Sequence, residues 1–253
     1  MAVVPTLEWL EKSFYKPLAL LENTRAPKKE LSSFYQYLQE HGMFRPSSQA
    51  EHTFKQLQVQ CVWELFSDFE KKYQKQWNGP DVPIYIFPVQ ETSGLFRART
   101  RKSGVSFRDK IFFFLSGGLE EKEYEALFVH EYHHCTRMNK LKMEDRQYTL
   151  LDSVIFEGLA EYAVEEYCGE KYKASWTKTY SPRQLEQFWK QYIKKEQHIK
   201  NTDEKHNQLL LGKGLYPRML GYCVGYYLIE TYNSKKKLKT TDLLGKPSTD
   251  FIP

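Results

Sequence analysis

Cysteine is scarce in this chain. Its 253 residues include four, Cys61, Cys135, Cys168 and Cys223, far apart and with no C-x-x-C pair. That spacing excludes a disulfide framework and a cysteine-type zinc knuckle, and it reads as reduced, mostly buried thiols. No apolar run reaches the ~20 residues a membrane-spanning helix needs, so no membrane span is expected. Glu8, Glu11, Lys12 and Lys16 interrupt the first twenty residues, which therefore lack the pattern of a secretory leader. A cytoplasmic protein is the expectation. A dominant charge is missing too: 37 basic and 32 acidic residues leave a mild, well-mixed +5. Nucleic acid is not an expected partner on that balance.

What is present suits a folded core, with 18 Tyr and 16 Phe among the apolar residues. The predicted class is α+β: mostly helical, with a small sheet preceding the helix of the main motif. Residues 1–78 read as an N-terminal helical segment. Leu7, Leu10, Phe14, Leu18 and Leu21 recur at helical spacing with a bend near Pro17, and a second helix is expected over 27–39. Ser48-x-x-Glu51 has the form of a capping box, followed by an apolar stripe at Phe54, Leu57, Cys61, Leu65 and Phe69. Residues 79–253 read as the catalytic domain. Strands are expected at 83–88 and 111–115, separated by a Gly- and Arg-rich loop holding Arg97, Arg99, Arg101, Lys102, Arg108 and Lys110. A solvated hairpin explains those charges better than an acidic partner does.

The chemistry concentrates at His130-Glu131-x-x-His134. Residues four apart share one helix face, so two imidazoles converge on a single ion while Glu131 projects beside it. Two nitrogen ligands and a carboxylate able to take a proton from bound water are the arrangement a metal-assisted hydrolase needs. Chance alone gives this pattern about 2% of the time in such a chain, so a third ligand is required. A second helix, with Asp152-Ser153 as its expected cap and its end near Cys168-Gly169, supplies a candidate. Glu157 and Glu161 share a face among Ile155, Phe156, Leu159, Ala160 and Val164, where an unpaired carboxylate is costly. Gly158 is out of place in a helix interior, at roughly 1 kcal/mol against Ala, and a metal beside Glu157 is the expected reason for both oddities. His133 is expected either to support the ligands from behind or to be a buried polar group; His41, His52 and His198 have no partner pattern.

His130-Glu131-x-x-His134 followed by Phe156-Glu157-Gly158-Leu159-Ala160-Glu161-Tyr162 resembles the gluzincin metallopeptidases, and most closely the predicted zinc-dependent protease family of YjaZ-like bacterial proteins. The likeness covers roughly residues 83–232. Phe156 stands where gluzincins usually carry Asn, and the gap from His134 to Glu157 is longer than in many of them. The resemblance implies Zn2+ held by His130, His134 and Glu157 with water in the fourth position. It implies Glu131 as the general base and then proton donor to the leaving amine, acting on a peptide or protein substrate. Glu161 corresponds to the family's acid that orients a ligand imidazole. Tyr222-x-x-Gly225 resembles the helix presenting a catalytic tyrosine, so Tyr222 is the expected oxyanion donor, with His206 and Tyr226 as substitutes. The strand at 111–115 is expected, again by resemblance, to be the edge that pairs with extended substrate. The alternative is a zinc-stabilised binding or regulatory module without catalysis. Retention of Glu131 favours the enzyme, because a purely structural site needs no base.

Overall fold

The computed structural model describes residues 2–24, 30–90, 101–143 and 148–253. They fall into two units, Met1–Glu131 and Tyr132–Pro253. As the sequence predicts, the class is α+β, mostly helical with a small sheet ahead of the motif helix. No helix among the described residues is long and apolar enough to cross a membrane.

In the first unit the N-terminal pattern gives α1 (Thr6–Ser13), α2 (Pro17–Glu22) and α3 (Leu31–Glu40), broken before Pro17 because that residue pre-sets the first turn of a new helix. The expected start of the second helix, at Pro27, lies outside the described residues. The stripe predicted as one helix is two, α4 (Ser48–Val59) and α5 (Val62–Trp77), separated at Cys61, whose φ of 50° is left-handed. Cys61 is consequently exposed, while the other three thiols are buried. The cap of α4 is Ser47, which accepts from the Ala50 amide, one residue earlier than the capping box implies.

Three strands follow: β1 (Ile84–Pro88), β2 (Lys102–Ser106) and β3 (Ile111–Leu115), in the order β1-β3-β2. β1 runs parallel to β3, and β2 antiparallel to it. All five residues of β1 and of β3 are buried, which explains their unbroken apolar runs. The expectation that 111–115 forms an edge is therefore overturned: β3 is central, its ladder groups taken on both sides. Among the described residues β2 is an outer strand, inside what the sequence presents as a basic loop. The residues around it turn their charges onto the chain's own carbonyls, Arg101 onto Gly117 and Gly118 and Lys102 onto Glu123. Arg97 and Arg99 lie outside the described residues.

Behind the sheet, Phe66 meets Phe113 edge-on at 4.9 Å and Phe113 stacks with Phe128 at 5.8 Å, tying α5, β3 and the motif helix together through rings. Thr6 ties the N-terminus to the same core. Its hydroxyl donates to the Ile86 carbonyl at 2.7 Å and accepts from the Trp63 indole at 2.8 Å. Thr6→Val keeps the shape but leaves a buried N–H and a buried carbonyl without it. We expect a loss of about 2 kcal/mol, read as a lower urea midpoint, with Thr6→Ser losing much less. Equal midpoints for the Val variant and the unaltered chain would show that these bonds add nothing.

α6 (Glu121–Lys140) opens with Glu121 and Glu123 and closes with Arg137 and Lys140, an arrangement that complements its dipole. The second unit is built on α7 (Leu150–Cys168). The cap is Thr149 and not Asp152-Ser153; Asp152 is the reciprocal partner three residues into the helix. Gly169, at φ 94°, ends it as expected. α8 (Pro182–Phe188) continues through a π-turn at Trp189–Ile193 into α9 (Lys194–Glu196). Next come α10 (Glu204–Leu211), α11 (Leu220–Asn233), α12 (Thr240–Leu243) and a 3-10 turn at Ser248–Phe251. Ile155, Leu159, Trp189, Val224 and Ile229 share the core.

α7 and α11 touch backbone to backbone. A Cβ on Gly158 would stand 2.4 Å from the Gly225 carbonyl, and one on Gly225 would stand 1.9 Å from the Val154 oxygen. This corrects the reading of Gly158: helix crossing requires it, whatever Glu157 binds.

Candidate metal centre

The ligand candidates stand on α6 and α7. His130 and His134 are one turn apart on a single continuous helix, and Glu157 stands two turns into α7. Each offers one donor atom, and these atoms lie within 4.8 Å of one another. His134 Nε2 and Glu157 Oε2 are 3.6 Å apart. Two ligand atoms, each about 2.1 Å from one ion at a tetrahedral angle, stand about 3.4 Å apart, so this spacing is that of neighbours on a shared cation. Two imidazoles and a carboxylate also match zinc by donor type. The residues present fit the ion.

Glu131, next to His130, is buried to 8% exposure. Its Oε2 accepts from the Ser106 hydroxyl at 2.6 Å; the same hydroxyl lies 2.8 Å from the Glu131 carbonyl, and its one proton serves one of the two at a time. Gly104, two residues earlier on the same face of β2, leaves the room: a Cβ there would stand 2.5 Å from Glu131 Cγ. Neither Gly104 nor Ser106 is prominent in the sequence. Their signal is the alternation Lys102, Gly104, Ser106, visible only once that stretch is known to be a strand.

Glu161 is buried at 3% exposure, and its Oε1 accepts from the Ala174 amide. Tyr222, half-buried on α11, packs edge-on against Trp176 with centroids 5.4 Å apart. Tyr226 and His206 are engaged elsewhere. The Tyr226 hydroxyl donates to Glu165 and accepts from Lys173 at 2.8 Å; burial first, and the Glu165 bond next, raise its pKa. Tyr226 is thus a neutral phenol whose proton is already shared. His206, 2% exposed, places Nε2 3.0 Å from Ser153 Oγ and Nδ1 3.2 Å from Asn207 Oδ1, and burial lowers its pKa. His133 is fully buried, as its sequence setting implies. A cleft of about 840 Å³ lined by Tyr162, Glu165 and Glu230 contains none of the ligand candidates.

The structure also gives Phe156 a place. Its ring lies nearly parallel to that of His134, at 24° with centroids 5.9 Å apart, and the Arg137 guanidinium carbon is 5.1 Å from its centre. Sequence reasoning registered Phe156 as a departure from a pattern and passed over Arg137 entirely.

Comparison with known proteins places the chain in a family whose description names zinc. A family model described as "Predicted Zn-dependent protease (DUF2268)" matches residues 62–253. "Uncharacterized protein YjaZ" of Bacillus subtilis (strain 168) is 37% identical over 261 residues, covering 100% of this chain and 98% of that protein. No solved structure matches the chain.

Proposed function

We propose that this chain, which belongs to the predicted zinc-dependent protease family, hydrolyses peptide bonds in peptide or protein substrates by the gluzincin route. The observation that supports this reading best is the His130, His134, Glu157 donor set with Glu131 adjoining it in the chain. Zinc held there supplies a Lewis acid and a water whose pKa is drawn down to about 7. Glu131 takes the proton from the attacking water and passes it to the leaving amine. The Ser106 hydroxyl, 2.6 Å from Glu131 Oε2, positions that carboxylate for the transfer. Glu161 orients the ligand shell from α7, and Tyr222 donates to the developing oxyanion. The outer strand β2, whose Gly104 and Ser106 touch Glu131, takes over the substrate-pairing role first assigned to β3.

The test is metal analysis of the purified chain paired with cleavage profiling of a peptide library. One zinc per chain is expected. Stripping it with a chelator should lower turnover by at least about a hundredfold, and stoichiometric Zn2+ should restore it. Turnover that persists in verified metal-free protein would end the proposal.

A further inference from the structure

Arg137 stands on α6 three residues past His134 and is fully buried. A guanidinium in such a place must be compensated, since an apolar side chain of similar volume would fill the space without loss of hydration. Its partners come from the C-terminal end of the chain. Nη1 donates to the carbonyls of Leu244 at 3.1 Å and Leu243 at 3.4 Å, and Nη2 to Ser248 Oγ at 3.4 Å. Ser248 in turn donates to Asp152 Oδ1 at 2.7 Å, while the other oxygen of Asp152 accepts from Thr149 in the cap of α7. One charged group thus links the motif helix, the last turn of the chain and the start of the helix that carries Glu157. Its flat face is used as well, lying 5.1 Å from the centre of Phe156 and 5.8 Å from that of Phe251. Phe156 then lies along the His134 imidazole and directly precedes Glu157 in the chain.

We infer that Arg137 and Phe156 are positioning residues for the metal ligands. The C-terminal turn grips the guanidinium, the guanidinium fixes the Phe156 ring, and the ring sets the plane of His134 and the approach of Glu157. This rests on the zinc reading above and adds to it the part of the chain that sets the geometry of the ligands. It also gives a physical reason for an aromatic residue before Glu157: a flat apolar face holds an imidazole in one plane, which an amide or a branched aliphatic side chain does not.

The experiment uses the full chain and reads the metal, apart from turnover. Zinc affinity is measured by competition with a chromophoric chelator, and the visible bands of the cobalt-substituted protein report ligand geometry. Phe156→Leu is expected to weaken zinc binding by about ten- to a hundredfold and to shift the cobalt bands, as loss of groups that orient ligands generally does. Phe156→Tyr retains the ring and should stay within about threefold of the unaltered chain. Leu209→Ala, in the core of the same unit on α10 and not among the residues named above as partners of Arg137, Phe156 or His134, serves as the control for lost packing, lowering the melting temperature while leaving affinity and bands alone. If Phe156→Leu behaves like Leu209→Ala, with lower stability but unchanged affinity and bands, the inference is overturned and the pair is ordinary packing. Should Phe156→Leu not fold, Arg137→Lys is read by the same two criteria, since it keeps the charge and loses the planar grip. A chain that takes up no zinc, or takes it up equally after His134→Ala, would remove the zinc reading itself and this inference with it.

Discussion

Replacing Glu131 by Gln is expected to leave zinc uptake unchanged and to reduce peptide hydrolysis by about a thousandfold, the usual scale for removing a positioned acid-base group. The surroundings make this substitution clean. Glutamine has the length and shape of glutamate, so its stem still fits the space left by Gly104, and its amide oxygen still accepts from Ser106. Neither His130 nor His134 needs to move. What disappears is the ability to take a proton from water and return it to an amine. Equal zinc content with turnover lost, measured on one cleavable peptide at saturating concentration, would locate the defect in proton transfer. Equal turnover in both proteins would remove Glu131 from the mechanism. A non-catalytic binding module predicts no cleavage by either protein and unchanged metal content in both.

Adding one methyl group to the crossing of α7 and α11 should be the most damaging change away from the centre. In Gly225→Ala the new carbon would stand 1.9 Å from the Val154 carbonyl oxygen and 3.3 Å from the Gly158 amide. The obstacles are backbone atoms of a regular helix, so no rotamer change relieves them and the helices must separate. The expected loss is about 3 kcal/mol, the upper end of what overpacking usually costs. For a chain of this size that is a fall in melting temperature of roughly 6–12 °C. Gly245→Ala is the matched control, because a Cβ there meets nothing within 4 Å. Thermal unfolding of the two variants side by side decides the matter. If Gly225→Ala melts with the unaltered chain, the close approach of the helices is not as tight as described. Since α7 carries Glu157, zinc affinity should fall together with stability in the Gly225 variant.

The helical half of the site was legible because its information is local. A four-residue spacing places His130 and His134 on one face in any helix, and Glu157 is conspicuous as an acid among apolar neighbours. Caps were legible only to within a few residues: Ser47 and Ser48 are alike in type, and Asp152 assists the cap without being it. The sheet was less legible. Lys102-Ser103-Gly104-Val105-Ser106 has one apolar residue and becomes a strand only through its pairing with β3, a partner that composition does not reveal. Strand order is hidden for the same reason, and the family resemblance points to 111–115 as an edge when both of its sides are occupied. Gly158 and Phe156 were each visible as irregularities, but their causes are contacts with Gly225 and Arg137, far away in the chain.

The short strand β2 also acts as a gauge of correct assembly. Side chains alternate along a strand, so slipping its pairing with β3 by a single residue would turn Gly104 and Ser106 away from Glu131 and present Ser103 and Val105 instead. Ser103 would then bring a Cβ into the space at Gly104 that does not admit one, and Val105 would stand where the hydroxyl of Ser106 had been. A chain caught in that register would retain all three ligand side chains and most of its helices while having no seat for its base. On the proposed mechanism, fidelity of folding and competence for catalysis would be coupled through these five residues, because the base is seated only once β2 has locked into its register.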